Sequence, residues 1–497
     1  MRFCTLTLGC KVNQYETQAI EHILVSRGHI HTEPGSGCDV CIINTCAVTA
    51  ESSRKSRQAV RRMKSAEPAA LIAVCGCMTQ LEPELRVHLG ADLTGGSGGR
   101  RGFALEVERL WQAKQAEPRE AVRAETRVAP QHAGVSSACQ RSVEAPPFCS
   151  VEAPRETSAE ELSAGAFGAP HSAGFEELPP GSASGRTRAL LKIQDGCDNY
   201  CAYCIIPYAR GRVRSLQPHR AAEYAAQLAE QGFREIVITG IEISSYGKDL
   251  AQGTTLTDVI RLIADAAQDV RIRLSSLDPG VVTEEFCGAL VKIPNLCGHF
   301  HLSLQSGCDD TLLRMGRKYD TRAVRNAIEL LRERFPNCGI TSDLITGFPG
   351  ETEDEFKRTM DFITAAEFSG MHIFPFSPRP GTRAAGMPDQ VAKGVRSRRA
   401  AEAAEAAEAM AGAFRQKQVG STLNVLFERE RAGVIIGHSE NYIEVAVKKK
   451  PAENAGTGAA ANGSGIGSVK DLNVSRNSVH SVQIYAADTG FVWAEIV

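Results

Sequence analysis

The stretch Gly196-Cys197-Asp198-Asn199-Tyr200-Cys201-Ala202-Tyr203-Cys204 constrains this chain more than any other. Its three cysteines are spaced four and three apart, with an aromatic residue just before the last. The apolar run Ala189–Gln194 reads as a strand that feeds this loop. Iron–sulfur clusters are held by cysteine thiolates, and a four-iron cube usually takes four. Three thiolates in one tight loop can hold three irons and leave the fourth open. An open metal position is where chemistry happens at catalytic metal sites. The competing reading is a zinc ion with a distant fourth ligand, but zinc motifs usually come as paired CxxC or Cys/His sets.

A length of 497 residues allows two to four domains with sizeable cores. The formal net charge of −2 argues neither for nor against nucleic acid, so only local basic surfaces can decide. The start MRFCTLTLGC lacks the charged and long apolar regions of a signal peptide. No apolar run approaches the roughly 18 residues of a membrane helix. A soluble, cytoplasmic protein without membrane contact is expected. Sixteen cysteines in such a protein suggest metal or redox chemistry rather than disulfides.

From residue 1 to about 115, short apolar runs alternate with helical patterns. Strands are expected near Phe3–Leu8, Val40–Asn44 and Ala70–Val74. Helices are expected near Asn13–Arg27, near Ala50–Ser65 and shortly from Gln80. That order predicts a doubly wound α/β domain with a parallel sheet. Cys10, Cys46 and Cys77 each follow a predicted strand. In open α/β sheets those ends converge on the ligand crevice, so the three can hold a second cluster. Cys38, Cys41 and Cys75 read as packing residues, with a redox pair as the alternative for the CxxC of Cys38 and Cys41. Cys287, Cys297, Cys308 and Cys338 have no local partner spacing, and Cys139 and Cys149 fall in a segment of disordered composition. After Cys46, the residues Arg54, Arg57, Arg61 and Lys64 recur at helical spacing on one face, either solvated or in contact with phosphates.

Residues 120–185 are rich in Ala, Ser, Glu, Pro and Gly and repeat SVEAP, a composition that predicts a flexible insertion. From about Arg186 the α/β alternation resumes in six βα units, which predicts an open or partial (β/α) barrel. Thr239, Gly240, Ser276 and Gln305 fall at predicted strand ends, where catalytic and ligand groups of such barrels gather. Arg210, Arg212 and Arg214 alternate after the cysteine loop, which would put all three on one side of an extended segment, facing solvent or an anionic substrate. Arg398–Gln418 reads as a joining helix. Beyond Gly420 five short strand patterns predict a small β-barrel, a common oligonucleotide-binding shape, with 451–468 as a flexible hairpin insertion.

The CxxxCxΦC loop resembles the radical S-adenosylmethionine (SAM) superfamily. LGCKVNQYE, NTCAVT, CGCMTQ, CDNYCAYCIIPYARGRVRS, HLSLQSG, LITGFPGE and FPFSPRPGT extend the likeness over both enzymatic domains. The chain resembles the methylthiotransferases, with an N-terminal cluster domain, a radical SAM domain and a C-terminal TRAM barrel. The resemblance implies domains at 1–119, 186–417 and 418–497. It implies two [4Fe-4S] clusters, one on Cys197, Cys201 and Cys204 and one on Cys10, Cys46 and Cys77, together with SAM. One SAM would methylate a sulfur on the second cluster, and another would supply the radical that removes a hydrogen from adenine. LGCKVNQYET and GCDNYCAYCIIPYARG look most like the subgroup that methylthiolates carbon 2 of N6-threonylcarbamoyladenosine at tRNA position 37. Sister subgroups acting on isopentenyladenosine tRNA or on a ribosomal-protein aspartate are the alternatives. The implied partners are a tRNA anticodon stem-loop, a one-electron reductant such as flavodoxin or ferredoxin, and a sulfur donor. A monomer is expected.

Overall fold

A computed structural model describes residues 1–116, 174–181, 186–251, 253–448 and 474–497. The N-terminal sheet contains β1 (Arg2–Thr7), β2 (Ile30–His31), β3 (Val40–Thr45), β4 (Leu71–Gly76) and β5 (Leu93–Thr94). All neighbours are parallel, in the order β2-β1-β3-β4-β5. The connecting helices are α1 (Lys11–Ser26), α2 (Ala50–Ala66), α3 (Cys77–Leu81), α4 (Leu85–Leu89) and α5 (Arg100–Ala116). Phe3, Ile42 and Ala73 pack on Ile20 and Leu24 of α1 and on Phe103 of α5. Ile43, Ile72 and Val74 pack on Val60 and Met63 of α2. Every residue of β3 is buried, as a central parallel strand covered on both faces must be. The alternation of strand and helix therefore produces the expected doubly wound domain. The helix α5 was not expected past the short one near Gln80, although its Phe103, Ala104 and Val107 form a buried helical stripe.

The central strands are β6 (Arg188–Lys192), β7 (Gln194–Asp195), β8 (Arg214–Ser215), β9 (Glu235–Thr239), β10 (Arg271–Leu274), β11 (His299–Gln305), β12 (Gly339–Thr346) and β13 (Gly370–Pro375). Parallel sheets β6-β9-β10 and β11-β12-β13 are joined by a parallel bridge from Leu277 to Leu302. Six strands thus form an open arc. The helices are α6 (Ile206–Arg210), α7 (Pro218–Glu230), α8 (Leu256–Ala266), α9 (Glu284–Leu290), α10 (Asp309–Met315), α11 (Thr321–Arg334), α12 (Glu353–Ala366) and α13 (Lys393–Lys417). They enclose the largest core, built around residues such as Leu191, Ile238, Ile272, Leu302 and Ile340. The run expected as one strand, Ala189–Gln194, is divided. Its end leaves the arc as β7 and pairs antiparallel with β8, so the cysteine loop is clipped at both ends.

The remaining strands, β14 (Thr422–Arg431), β15 (Val434–Ser439), β16 (Glu444–Lys448), β17 (Val479–Ala487) and β18 (Val492–Ile496), form a closed barrel. It docks on the amino ends of the central strands. Arg271 and Arg273 share the buried Glu235 and donate to the carbonyls of Asn424, His438, Ser439 and Glu440.

Part of the span 120–185 departs from the flexible reading. Residues 174–181 lie on α1, where the Tyr15 hydroxyl donates to the carbonyl of the buried Leu178 at 2.7 Å. Phe175 also packs against the central core, Glu176 accepts from the Arg101 amide and Glu177 pairs with Arg220, so partners from distant segments hold it, which composition does not reveal. The rest of that span with Cys139 and Cys149, and the span 451–468, lie outside the described residues. No helix among the described residues is long and apolar enough to cross a membrane.

Candidate active site

The loop after β7 turns at Gly196, whose φ is +72°. A Cβ there would stand 1.8 Å from the carbonyl oxygen of Arg212, so backbone from both ends of the loop meets at this glycine. The amide of Cys197 donates to the Gly211 carbonyl at 3.0 Å, and that of Cys204 to the Cys201 carbonyl at 2.9 Å. All three thiols are half-buried. Arg317 donates from Nη1 to Cys201 Sγ at 3.3 Å. Burial pushes the Cys197 thiol up to about 11 and the Cys204 thiol up to about 12. The neighbouring thiols oppose ionisation further, since Cys201 and Cys197 both act on Cys204.

Cys10, Cys46 and Cys77 follow β1, β3 and β4 as expected. Gly9 has φ +99°, and a Cβ on it would stand 2.8 Å from Cys46 Sγ. That close approach brings the first two loops together. Cys46 and Cys77 are buried and Cys10 is exposed, so the triad opens outward through Cys10. Burial pushes the Cys77 thiol up to about 11, and Cys10 and Cys46 raise it further. The three thiols therefore share one electrostatic environment at the switch point of the sheet.

A buried ion network joins the two triads. Arg210, at the end of the short helix after Cys204, donates to Glu16 Oε1 at 2.6 Å, to Asn13 Oδ1 at 2.6 Å and to Asp195 Oδ1 at 3.2 Å. Lys192 donates to Glu16 at 2.9 Å and to Asp195 at 2.6 Å. Arg100 donates to Glu16 Oε2 at 2.9 Å. Burial alone would raise the Glu16 carboxyl, but Arg210, Lys192 and Arg100 hold it well below its ordinary value. Three buried cations face two buried carboxylates, which leaves net positive charge between the thiol triads. The guanidinium of Arg210 also favours the ionised form of Cys77, and its Nε has no hydrogen-bond partner among the described residues. From β13 onward, Ser377 Oγ accepts from the first amide of α2 at 3.1 Å, and the buried Arg379 lies near Cys46. The carboxyl ends of the two sheets are therefore tied to one another.

Among the four residues expected near SAM, Thr239 and Gln305 end β9 and β11, and both are buried. Gly240 abuts Gln194 so closely that a Cβ would lie 2.8 Å from its Oε1. Ser276 is exposed beyond β10. All four sit at the carboxyl ends of the arc. Gln305 has φ +70°, an uncommon conformation for a non-glycine residue, at the point where the β11–β12 register shifts.

The basic residues divide. Arg210 cannot face RNA, because it is buried within the network just described. The helix α6 ends there, and Gly211 at φ +71° turns the chain, so the expected alternation never forms. Arg212 is 85% exposed, whereas Arg214 is only 11% exposed and lies 3.6 Å from Asp195. Arg54, Arg61 and Lys64 are exposed on α2 and Arg57 is half-buried. Arg54 pairs with Glu51 and Arg57 with Glu82. Glu16, Asp195, Arg317 and Glu242 were missed. Glu242 is a half-buried carboxyl raised by burial, and its charge acts on Cys197. Only the acid in LGCKVNQYE, one helical turn and a half after Cys10, offered a signal.

Residues 191–363 match the Radical SAM superfamily, and residues 2–93 match a family described as Uncharacterized protein family UPF0004. With the three-cysteine loop at the head of a partial (β/α) barrel, the class is that of radical SAM proteins. The threonylcarbamoyladenosine tRNA methylthiotransferase MtaB of Bacillus subtilis is 33% identical over 448 residues, covering 89% of each chain. The protein of the same description from Thermotoga maritima is 33% identical over 88% of this chain and 89% of that one. A tRNA-2-methylthio-N(6)-dimethylallyladenosine synthase of Pelotomaculum thermopropionicum is 29% identical over 88% and 90%. The chain belongs to the methylthiotransferase family of radical SAM enzymes.

Proposed function

We propose that this enzyme methylthiolates carbon 2 of N6-threonylcarbamoyladenosine at position 37 of tRNA. The observation that carries the reading is the buried ion network between the two thiol triads, in which Arg210 bonds Glu16 and Asp195 and acts on Cys77; the reading places one cleft between the triads. The donor sets fit two clusters. Each consists of three cysteines with no disulfide, lies beside buried positive charge, and has an arginine nitrogen aimed at or near a thiol. Cys197, Cys201 and Cys204 would hold one cluster and Cys10, Cys46 and Cys77 the other. When bound, the first supplies the electron that cleaves SAM and the second supplies the sulfur to be inserted.

The chain's own residues do the positioning. Gly196 and the β7–β8 clip fix the loop. Glu16, Asp195, Lys192 and Arg210 lock the two walls, so that distances across the cleft are set before substrate arrives. Thr239, Gly240, Ser276 and Gln305 offer hydroxyl, amide and backbone groups to SAM. Arg212 and the α2 stripe offer cations to the RNA backbone. The target adenine lies in a single-stranded loop and can leave its stack to enter the cleft. An external one-electron donor and a sulfur donor complete the reaction.

The test is nucleoside mass spectrometry on tRNA from cells lacking the gene, complemented by the unsubstituted chain or by Cys46→Ala. Loss of 2-methylthio-N6-threonylcarbamoyladenosine, restored only by the unsubstituted chain, is expected. Loss of the methylthio group from dimethylallyladenosine instead would move the substrate to that of the Pelotomaculum relative. In vitro, Cys46→Ala should still release 5′-deoxyadenosine from SAM but form no methylthio base. Normal methylthiolation by that variant would remove Cys46 from the mechanism.

A further inference from the structure

Away from the cleft, three other thiols lie together. Cys4 on β1 stands in register with Cys41 on β3, and Cys38 lies two residues before that strand. Cys38 Sγ is 3.4 Å from Cys4 Sγ and 3.4 Å from Cys41 Sγ, and all three sulfurs lie within 4.8 Å of one another. All three residues are buried, on the sheet face covered by α2. They occupy the amino-terminal halves of the strands, whereas Cys10 and Cys46 lie past the carboxyl ends. The group is therefore separate from both triads of the cleft.

A buried cysteine is ordinarily a small apolar filler. Fillers need no sulfur-to-sulfur convergence, and here three elements deliver their thiols to one point. Thiolates about 2.3 Å from a tetrahedral zinc ion lie roughly 3.8 Å apart, so small outward shifts would admit an ion. The buried Glu67 places negative charge near Cys4 and Cys38, and the amides of Gly35 and Gly37 hold its Oε1 at 2.9 and 3.0 Å. The exposed loop at Gly35–Gly37 adjoins Cys38 and gives an ion its way in. We infer that Cys4, Cys38 and Cys41 form a third thiol site that takes one thiophilic divalent cation of the zinc class. Binding releases the thiol protons to solvent as three Zn–S bonds form. The ion would tie β1 to β3 and to the loop between β2 and β3, far from the reacting atoms.

The test uses the full chain with its clusters assembled anaerobically. It is dialysed against zinc chloride, then against zinc-free buffer, and iron and zinc are counted by mass spectrometry. About one zinc per chain is expected, with three sulfurs around it by zinc-edge X-ray absorption. Cys38→Ser and Cys41→Ser should each lose the zinc and keep the iron. Three results would overturn the site: less than about a tenth of a zinc per chain, zinc retained in both variants, or a zinc shell without three sulfurs. If either variant fails to fold, the absorption spectrum of the unsubstituted chain decides alone.

Discussion

Arg210 shows what a single residue can hide. Its cysteine neighbours declare themselves, because thiols at fixed spacing have few other uses. Arg210 is one arginine among three in sequence, and its main partner, Glu16, is 194 residues away. Nothing local reports that pairing. Replacing it by glutamine would leave Glu16 and Asp195 buried with less compensation. Breaking a buried pair this way destabilises by about 3–5 kcal/mol. Arg210→Gln should therefore lower the anaerobic denaturation midpoint sharply, with Arg210→Lys falling between. A drop in tRNA affinity at unchanged stability would instead return Arg210 to the surface role suggested by its alternation. The thiols supply a second prediction at this scale. Cys77 and Cys197 are raised to about 11 and Cys204 to about 12 in the metal-free fold. Below about pH 8.5 both folded and unfolded thiols are neutral, so this contribution is fully present there. As pH rises toward 11–12 the unfolded thiols ionise first, and stability should fall. The metal-free chain should show that alkaline loss in denaturant titrations at stepped pH, and a variant with all three changed to serine should show less of it.

At the scale of elements, strands and helices were legible wherever burial imposes a period. The wholly buried β3, apolar from Val40 to Ile43, and the striped α8 and α11 are such cases. The two-residue strands β7 and β8 and the five-residue α6 were not, because they are too short to carry a period. Their existence depends on Gly196 and Gly211, whose positive φ values turn the chain on either side. Gly196→Ala should push Arg212 backbone aside and spoil the loop. Iron after reconstitution should fall by about half, while the triad on the N-terminal sheet keeps its share. Full iron in that variant would show that the clip is dispensable. On α2, Arg61 is exposed and faces no carboxylate among the described residues, unlike Arg54 and Arg57. Arg61→Glu should weaken tRNA binding more than Arg54→Glu and reduce the salt slope by about 1 or more. Equal effects of the two, in filter binding across a salt series, would make the stripe an ordinary solvated face.

At the scale of the molecule, the small barrel is bound more firmly than its sequence suggests. Strand patterning marks an independent unit that a chain ending near Gln418 would remove. The interface argues otherwise. Arg273 is buried and spends two of its donors on Ser439 and Glu440 carbonyls, at 3.1 and 2.9 Å. Tyr442 stacks on His299 at 4.5 Å, and Gln418 bonds Asn337 and Asn441 across the joint. Truncation would bare these groups at the base of the arc, so loss of activity would report damage to the fold rather than to RNA binding. Point changes on the outer surface avoid that. Lys448 lies 5.2 Å over the Trp493 ring, a cation beside an aromatic of the kind that receives unstacked bases. Base stacking of this sort contributes about 1–3 kcal/mol, or roughly 5- to 150-fold in affinity. Trp493→Ala should raise KM for tRNA within that range and leave kcat and reductive SAM cleavage nearly unchanged. If kcat falls with KM constant, the barrel positions the catalytic cleft instead of holding RNA. If neither changes, binding rests on α2 and Arg212 alone.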